Sequence, residues 1–173
     1  MYRSEKELLN LKRTEISEGR WIDAGCGQGA YTMPLSTIVD SVLAIDRNPS
    51  NIKHLQNRLK RTAINNVLLQ LGDFTDTKIY EKEEIQGVLF AFSLHYQTKL
   101  DFLQDIMRLK ANNEDFKIVI IEYTRGTPVP WIPYPCPPEK IFNIMSELEG
   151  IECIIKFRNA RYYILELKKK FHF

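Results

Sequence analysis

The chain has 173 residues, of which 44% are hydrophobic and 27% are charged, and its formal net charge is +2. This composition is typical of a globular protein, and the length predicts one domain over residues 1–173. A charge so close to neutral gives no reason to expect a protein that binds nucleic acid. No apolar run is long enough for a membrane span and no signal core is present, so we expect a cytoplasmic protein.

The three cysteines predict neither a disulfide framework nor a metal centre. Cys26, Cys136 and Cys153 are odd in number, widely spaced and without the Cys-x-x-Cys pairs of zinc sites. Free thiols of this kind fit a reducing compartment. We therefore expect no metal ligands in this chain.

Hydrophobic periodicity predicts helices and strands in alternation. A helix is expected within residues 1–18, where Ser4 and Glu7 have the spacing of a capping box. Strands are then expected at 20–24, 42–46, 67–71, 87–92 and 116–123. The helices between them are expected at 31–38, from Pro49 or Ser50 to residue 63, and at 100–109. This alternation predicts an open α/β sheet.

The last third of the chain has a different pattern. Segment 124–138 contains six of the eight prolines and predicts a long irregular loop. A helix is expected at 139–148. Two strands, at 151–157 and 162–168, then predict a closing hairpin.

A glycine-rich turn follows the first predicted strand. Gly25, Gly27 and Gly29 alternate behind Asp23, and glycine allows both positive φ and close approach of a ligand to the backbone. Gly25 and Gly27, with an alanine at position 30, also fit the dinucleotide fingerprint, in which backbone N–H groups bind a pyrophosphate. The carboxylate of Asp23 would repel a pyrophosphate but suits an ammonium group. A turn that binds nothing is the third alternative.

The turn resembles the S-adenosylmethionine (SAM) site of class I methyltransferases, in which an acidic residue and a spacer precede Gly-x-Gly-x-Gly. The resemblance implies a doubly wound, mostly parallel α/β sheet of seven strands in the order 3-2-1-4-5-7-6, with the last strand antiparallel and helices on both faces. The predicted hairpin at 151–168 agrees with this order. A dehydrogenase would instead have a sixth parallel strand and a catalytic domain.

The resemblance also implies how SAM is bound. Asp23 and the backbone of Gly25 and Gly27 would hold the methionine end, Asp46 the ribose hydroxyls, and Asp73 the adenine amino group. The acidic residues stand where predicted strands end, which is where open α/β sheets bind ligands; singly, Asp46 and Asp73 could also be helix caps. The remaining predicted cofactor residues are Cys26, Gly29, Arg47 (or Ile52, on the second adenine face), Phe74 and Phe92.

The residues after the fourth predicted strand bear on the acceptor. Phe-Ser-Leu-His-Tyr at 92–96 lacks the Asp/Asn-Pro-Pro-aromatic motif of base and amide methylation and resembles small-molecule methyltransferases. His95 is the candidate general base, with Tyr96 of similar standing, because imidazole titrates near neutral pH. A His95 that only supports the backbone is the alternative. Glu122 could face the same cleft or pair with an arginine, and Cys136 is interpreted as a packing residue.

Two aromatic residues of the proline-rich loop, Trp131 and Tyr134, are candidate substrate contacts, with a strap over the sheet as the alternative.

Taken together, these patterns predict transfer of a methyl group from SAM to an O, N or C nucleophile of a small molecule, by a monomer or homodimer. One alternative is an RNA or protein methyltransferase with a partner at Lys168–Lys170. The other is a SAM-binding protein without catalysis.

Overall fold

A computed structural model describes residues 3–82 and 84–170. Within these residues the chain forms five helices, namely α1 (Arg3–Leu11), α2 (Thr32–Leu35), α3 (Pro49–Thr62), α4 (Phe102–Leu109) and α5 (Pro138–Met145). Seven strands are β1 (Arg20–Ala24), β2 (Ser41–Asp46), β3 (Val67–Leu71), β4 (Ile85–Ala91), β5 (Lys117–Tyr123), β6 (Ile151–Arg158) and β7 (Tyr162–Lys169). Short 3₁₀ turns cover Thr77–Tyr80 and Leu94–Tyr96.

The strands form one sheet in the order β3-β2-β1-β4-β5-β7-β6. Neighbours among β1 to β5 pair in parallel, whereas β7 pairs antiparallel with both β5 and β6. The predicted fold class and strand order are therefore confirmed. A parallel sheet needs crossover connections over its faces; α2, α3 and α4 supply three of them, and the crossover from β3 to β4 contains only the 3₁₀ turn Thr77–Tyr80.

Each face of the sheet is covered by its own apolar cluster. On one face, Leu11 of α1, Leu35 of α2 and Leu55 of α3 pack with the sheet residue Val42. On the other, helices α4 and α5 pack over a cluster that includes Phe90. Burial on both faces explains why β4 and β5 are almost continuously apolar.

Several predicted boundaries differ from the structure. Helix α1 ends at Leu11, well before residue 18, and Ser4 lies inside it and not at its N-cap, so the capping-box prediction is wrong. Helix α2 is only four residues long, because the chain continues after it in i→i+3 turns, such as the bond from Ile38 N to Leu35 O. Residues 124–137 are irregular, as predicted, but α5 begins at Pro138 and ends at Met145, three residues before the predicted end at 148.

No helix in the described ranges is long and apolar enough to cross a bilayer.

Candidate cofactor and acceptor site

The glycine turn is fixed against the neighbouring strand. The backbone N–H groups of Gly25 and Cys26 both donate to the carbonyl of Ile45, over 2.8 and 2.9 Å. Gly25, Gly27 and Gly29 have φ values of +78°, +53° and +81°, which L-residues with a side chain rarely adopt. The turn therefore depends on glycine at all three predicted positions.

The three glycines differ in what surrounds them. A Cβ on Gly29 would lie 2.3 Å from Leu55 Cδ1, and one on Gly25 would lie 2.6 Å from Ser93 Cβ. A Cβ on Gly27 would meet nothing within 4 Å. Gly25 and Gly29 thus permit close packing, whereas Gly27 leaves open space where a ligand could lie against the backbone.

A cleft of about 1090 Å³ opens at the carboxyl ends of the parallel strands. Its volume is at the upper end of the range for small-molecule sites. Most of the predicted cofactor residues line it, namely Asp23, Gly25, Cys26, Gly27, Asp46, Arg47, Asp73, Phe74 and Phe92. Gly29 packs against α3 instead, and Ile52 is not in the lining.

Asp23 is a buried carboxylate at the floor of the cleft. Its Oδ2 accepts a 2.6 Å hydrogen bond from the hydroxyl of Thr32. Burial raises the pKa of Asp23 to about 7, with a smaller contribution from the negative charge of Asp46, although the Thr32 bond lowers it. A carboxylate held so far from water favours a cationic ligand, because a cation replaces the lost hydration.

Asp46 stands at the end of β2 and connects the turn to α3. Its Oδ2 accepts from the backbone N–H of Gly27, and its Oδ1 from that of Asn48, both over 2.8 Å. Asn51 Nδ2 lies 3.3 Å from the same Oδ1. A carboxylate has about four acceptor sites, and three donors occupy Asp46, so it retains capacity for about one hydroxyl group of a ligand unless Asn51 turns away.

Asp73 and Phe74 occupy the third strand end. Asp73 is exposed, and its Oδ1 accepts from both the backbone N–H and the hydroxyl of Thr75, each over 2.9 Å. Phe74 is buried, and its ring packs on Phe90 and Phe102 with centroids 5.5 and 5.9 Å apart. Both residues still border the cleft.

Beyond the glycine turn, the cleft is lined by aromatic side chains. Phe92 lies 4.8 Å from Tyr123 and 6.2 Å from both Tyr31 and Tyr162, measured between ring centroids. Its φ of +54° is rare for a bulky residue, and such strain clusters at functional sites. We call Tyr31, Phe92, Tyr123 and Tyr162 the aromatic wall.

His95 and Glu122 form a buried pair behind the cleft. The Nδ1 atom of His95 is 2.9 and 3.0 Å from the two oxygens of Glu122, and their side chains are 2% and 0% exposed. Glu122 also accepts from the backbone N–H groups of Leu94, His95 and Tyr123. Glu122 thus pairs with His95 and not with an arginine. Of the two predicted catalytic residues, only Tyr96 lines the cleft.

The predicted substrate residues stand outside the cleft lining. Trp131 is 62% exposed and Tyr134 is 43% exposed. The backbone N–H of Tyr134 donates to the carbonyl of His95 over 3.0 Å, which connects the proline-rich loop to the turn after β4. In this conformation neither ring reaches the cleft, so a substrate contact would require the loop to move.

Cys136 is buried, as its interpretation as a packing residue requires. Its carbonyl accepts a 2.6 Å bond from the hydroxyl of Tyr163, and burial raises the pKa of its thiol to about 12. A thiol of this kind is a poor nucleophile.

Lys168, from the basic C-terminal run, is paired with Glu15 over 3.1 Å.

Several lining residues were missed by the sequence reasoning. Among them are Lys6 and Glu7 of α1, Tyr31, Arg161 and Tyr162, the first residue of β7. They come from distant parts of the chain, and no local motif connects them. Their only sequence signal is the placement of polar residues on an amphipathic helix and at a hairpin.

Comparisons with known proteins agree with this geometry. Residues 22–113, more than half of the chain, match the family model described as "Methyltransferase domain". Protein-L-isoaspartate O-methyltransferase of Petrotoga mobilis is 31% identical over 80 residues, covering 46% of this chain and 35% of that protein. The matched segments span about a third or less of the curated relatives.

Solved structures share the whole fold at low identity. An rRNA methylase from Streptococcus thermophilus superposes with a TM-score of 0.67 at 17% identity, covering 98% of both chains. Magnesium protoporphyrin IX methyltransferase from Synechocystis PCC 6803, crystallised with SAM, superposes with a TM-score of 0.66 at 15% identity, covering 97% of this chain and 78% of that one. The chain therefore belongs to the methyltransferase-domain family, with the class I fold and SAM as the family's methyl donor.

Proposed function

We propose that this protein transfers the methyl group of SAM to an O, N or C nucleophile of a small molecule. The observation that carries the proposal is the buried carboxylate of Asp23, which opens onto the same cleft as Asp46 and Asp73. Three acidic strand ends match the ammonium, ribose and adenine amino groups of one ligand. A pyrophosphate at the glycine turn would instead meet the like charge of Asp23.

The cofactor residues would act together along the glycine turn. Asp23 would hold the ammonium group, Asp46 the ribose hydroxyls and Asp73 the adenine amino group. The open space over Gly27 would allow the ligand to contact backbone N–H groups. The lining residues Cys26, Arg47, Phe74 and Phe92 would complete the cofactor contacts. SAM itself supplies a methyl group activated by its positive sulfur.

The residues on the acceptor side would align the nucleophile. Methyl transfer needs a nucleophile in line with the methyl carbon and the departing sulfur, so orientation is the main task of the protein. Tyr96 lines the cleft and is placed to contact the acceptor. His95 would position it, because the two rings lie 4.1 Å apart and His95 is fixed by Glu122. Trp131 and Tyr134 would contribute after loop closure.

A small-molecule acceptor is favoured over RNA or protein because the cleft is a concave pocket of about 1090 Å³, a size suited to small ligands. Lys168, part of the basic run that could meet RNA, is already paired with Glu15.

A cytoplasmic location, in which free thiols persist, fits the three unpaired cysteines. We retain a monomer or homodimer as the expected assembly.

The test is a transfer assay with radiolabelled SAM against fractionated cell extract. We expect label in the small-molecule fraction, no loss of transfer with EDTA, and binding of SAM and S-adenosylhomocysteine (SAH) but not NAD by calorimetry. Label in RNA or protein would show that the methyl acceptor is a macromolecule of that class and not a small molecule. Binding of SAM without transfer to any fraction would favour a non-catalytic SAM-binding protein, and binding of NAD alone would refute the proposal.

A further inference from the structure

An unpartnered carboxylate oxygen lies at the acceptor side of the cleft. Glu7 of α1 is 8% exposed and lines the cleft, yet its Oε2 has no hydrogen-bond partner among the described residues. A buried polar atom without a partner costs free energy unless something satisfies it. At the edge of a ligand cleft, a donor on the ligand would do so.

The aromatic wall stands next to this carboxylate and is held rigid. Asn10, itself buried, donates to the hydroxyl of Tyr31 and accepts from the hydroxyl of Tyr162, each over 2.9 Å. With these hydroxyls occupied, the two tyrosines present their rings as fixed apolar surfaces. Fixed rings lose little entropy when they bind another flat group, and aromatic pairs gain beyond their buried area.

Two cations border the same end. Within residues 3–82 and 84–170, no carboxylate forms an ion pair with the guanidinium of Arg161, which lines the cleft. Arg158, in the same hairpin, is paired with Glu139. The ammonium of Lys6 lies 5.2 Å from the ring centroid of Tyr162. A guanidinium beside an aromatic surface suits a carboxylate on a flat ligand.

On the basis of the proposed function, we propose that the methyl acceptor is a flat aromatic carboxylate that bears a hydroxyl or amine, and that Glu7 receives the proton of that group. The oxygen or nitrogen forms the new bond to the methyl carbon. The carbon–sulfur bond breaks with its electron pair going to sulfur, and the proton passes to Glu7. The aromatic wall holds the ring, and Arg161 binds the carboxylate.

The test compares four probes by ligand-detected NMR with SAH at saturation: para-hydroxybenzoate, para-aminobenzoate, benzoate and phenol. Benzoate lacks the donor and phenol lacks the carboxylate. We expect the first two to bind about tenfold more tightly than either of the others, the value of one charged hydrogen bond. Glu7→Gln should reduce the preference over benzoate, because a neutral amide oxygen is a weaker acceptor than a carboxylate, and Arg161→Ala should abolish the preference over phenol.

Matched controls are Glu18→Gln and Arg158→Ala, which change exposed residues outside the cleft lining and should leave both preferences intact. SAH affinity is measured separately for every variant. SAH binding without binding of any probe, or equal binding of all four, would overturn the inference and leave the proposed function standing. Loss of SAH binding in Arg161→Ala would assign that cation to the cofactor and also overturn the inference. No SAH binding by the unaltered protein would overturn both proposals.

Discussion

The hydroxyl of Thr32 donates a 2.6 Å hydrogen bond to Oδ2 of Asp23, and both side chains are almost completely buried. Thr32 begins α2 and Asp23 lies near the end of β1, so one bond joins the two elements on either side of the glycine turn. This single bond does not replace the hydration that an ionised carboxylate has in water. The site therefore contains an under-compensated negative charge.

We predict that Asp23→Asn stabilises the ligand-free protein while it destroys the cofactor site. Between its ordinary pKa of 3.8 and its folded pKa of about 7, Asp23 binds more protons in the folded than in the unfolded chain. Stability therefore falls as pH rises through this window, and at pH 8 the variant should be more stable by up to about 4 kcal/mol. Denaturant unfolding at pH 4 and pH 8 measures the difference.

The same variant should bind SAH at least about tenfold more weakly at pH 8, because an amide cannot pair with the ammonium group. Asp40→Asn, at an exposed carboxylate that accepts from Gly19 N, is the control for both measurements. A variant that is less stable at pH 8, or that retains full SAH affinity, would contradict our account of Asp23.

We predict that alanine at one glycine of the turn mainly lowers stability, and that alanine at another mainly weakens SAH binding. Gly29→Ala would place a methyl group 2.3 Å from Leu55 Cδ1 at a φ of +81°, and should lower the free energy of unfolding by about 2–5 kcal/mol. Gly27→Ala meets open space, so it should cost only about 1–2 kcal/mol of backbone strain and should mainly weaken SAH binding. Thermal unfolding and calorimetry separate the two, and unchanged SAH affinity in Gly27→Ala would show that Gly27 does not face a ligand.

We predict that Asp46→Ala weakens SAH binding by about 1.5–3 kcal/mol, the scale of hydrogen bonds to a charged group. The structure adds a second cause, since the variant also releases the backbone N–H groups of Gly27 and Asn48. Asp46→Asn retains one acceptor oxygen and should lose less. Unchanged affinity in Asp46→Ala would remove this residue from the site.

We predict that His95→Asn retains more than about a tenth of the transfer rate, because the amide nitrogen of asparagine can replace Nδ1 as the donor to Glu122. Loss of a general base would instead cost about 10²–10⁴-fold. His95→Leu leaves the buried Glu122 without this partner and should destabilise the fold by about 3 kcal/mol. A loss of transfer of the larger size in a folded His95→Asn variant would establish His95 as the base.

We predict that Trp131→Ala raises the KM for the acceptor by about threefold to tenfold while SAH affinity changes little, as expected for an aromatic contact of about 1 kcal/mol. The bond from Tyr134 N to the His95 carbonyl connects this loop to the acceptor side of the cleft. Leu68→Ala removes an equally exposed apolar side chain from the edge strand β3 and is the control. Unchanged KM would identify the loop as a strap over the sheet.

The amino-acid pattern was enough to predict the sheet and to locate the glycine turn and the three acidic residues that border the cleft. Alternating apolar segments of strand and helix length allow few arrangements, because buried parallel strands need helices on both faces. The glycine turn and the acids that end the first three strands could be located for the same reason, since each is a local pattern at a strand end. Helix ends were less accurate, as α1 and α2 show, because capping and tertiary packing decide them together.

The proposed acceptor half depends on contacts that exist only in the folded chain. Glu7 lies near the N-terminus and Arg161 beside the last strand, and they come together because β7 inserts between β5 and β6. The pairing of His95 with Glu122 likewise depends on β4 and β5 being neighbours. Such contacts have no sequence period or motif. They form only when the sheet assembles and buries polar groups, which then need hydrogen-bond partners. The order of residues along the chain does not give the distances between residues that are far apart in sequence.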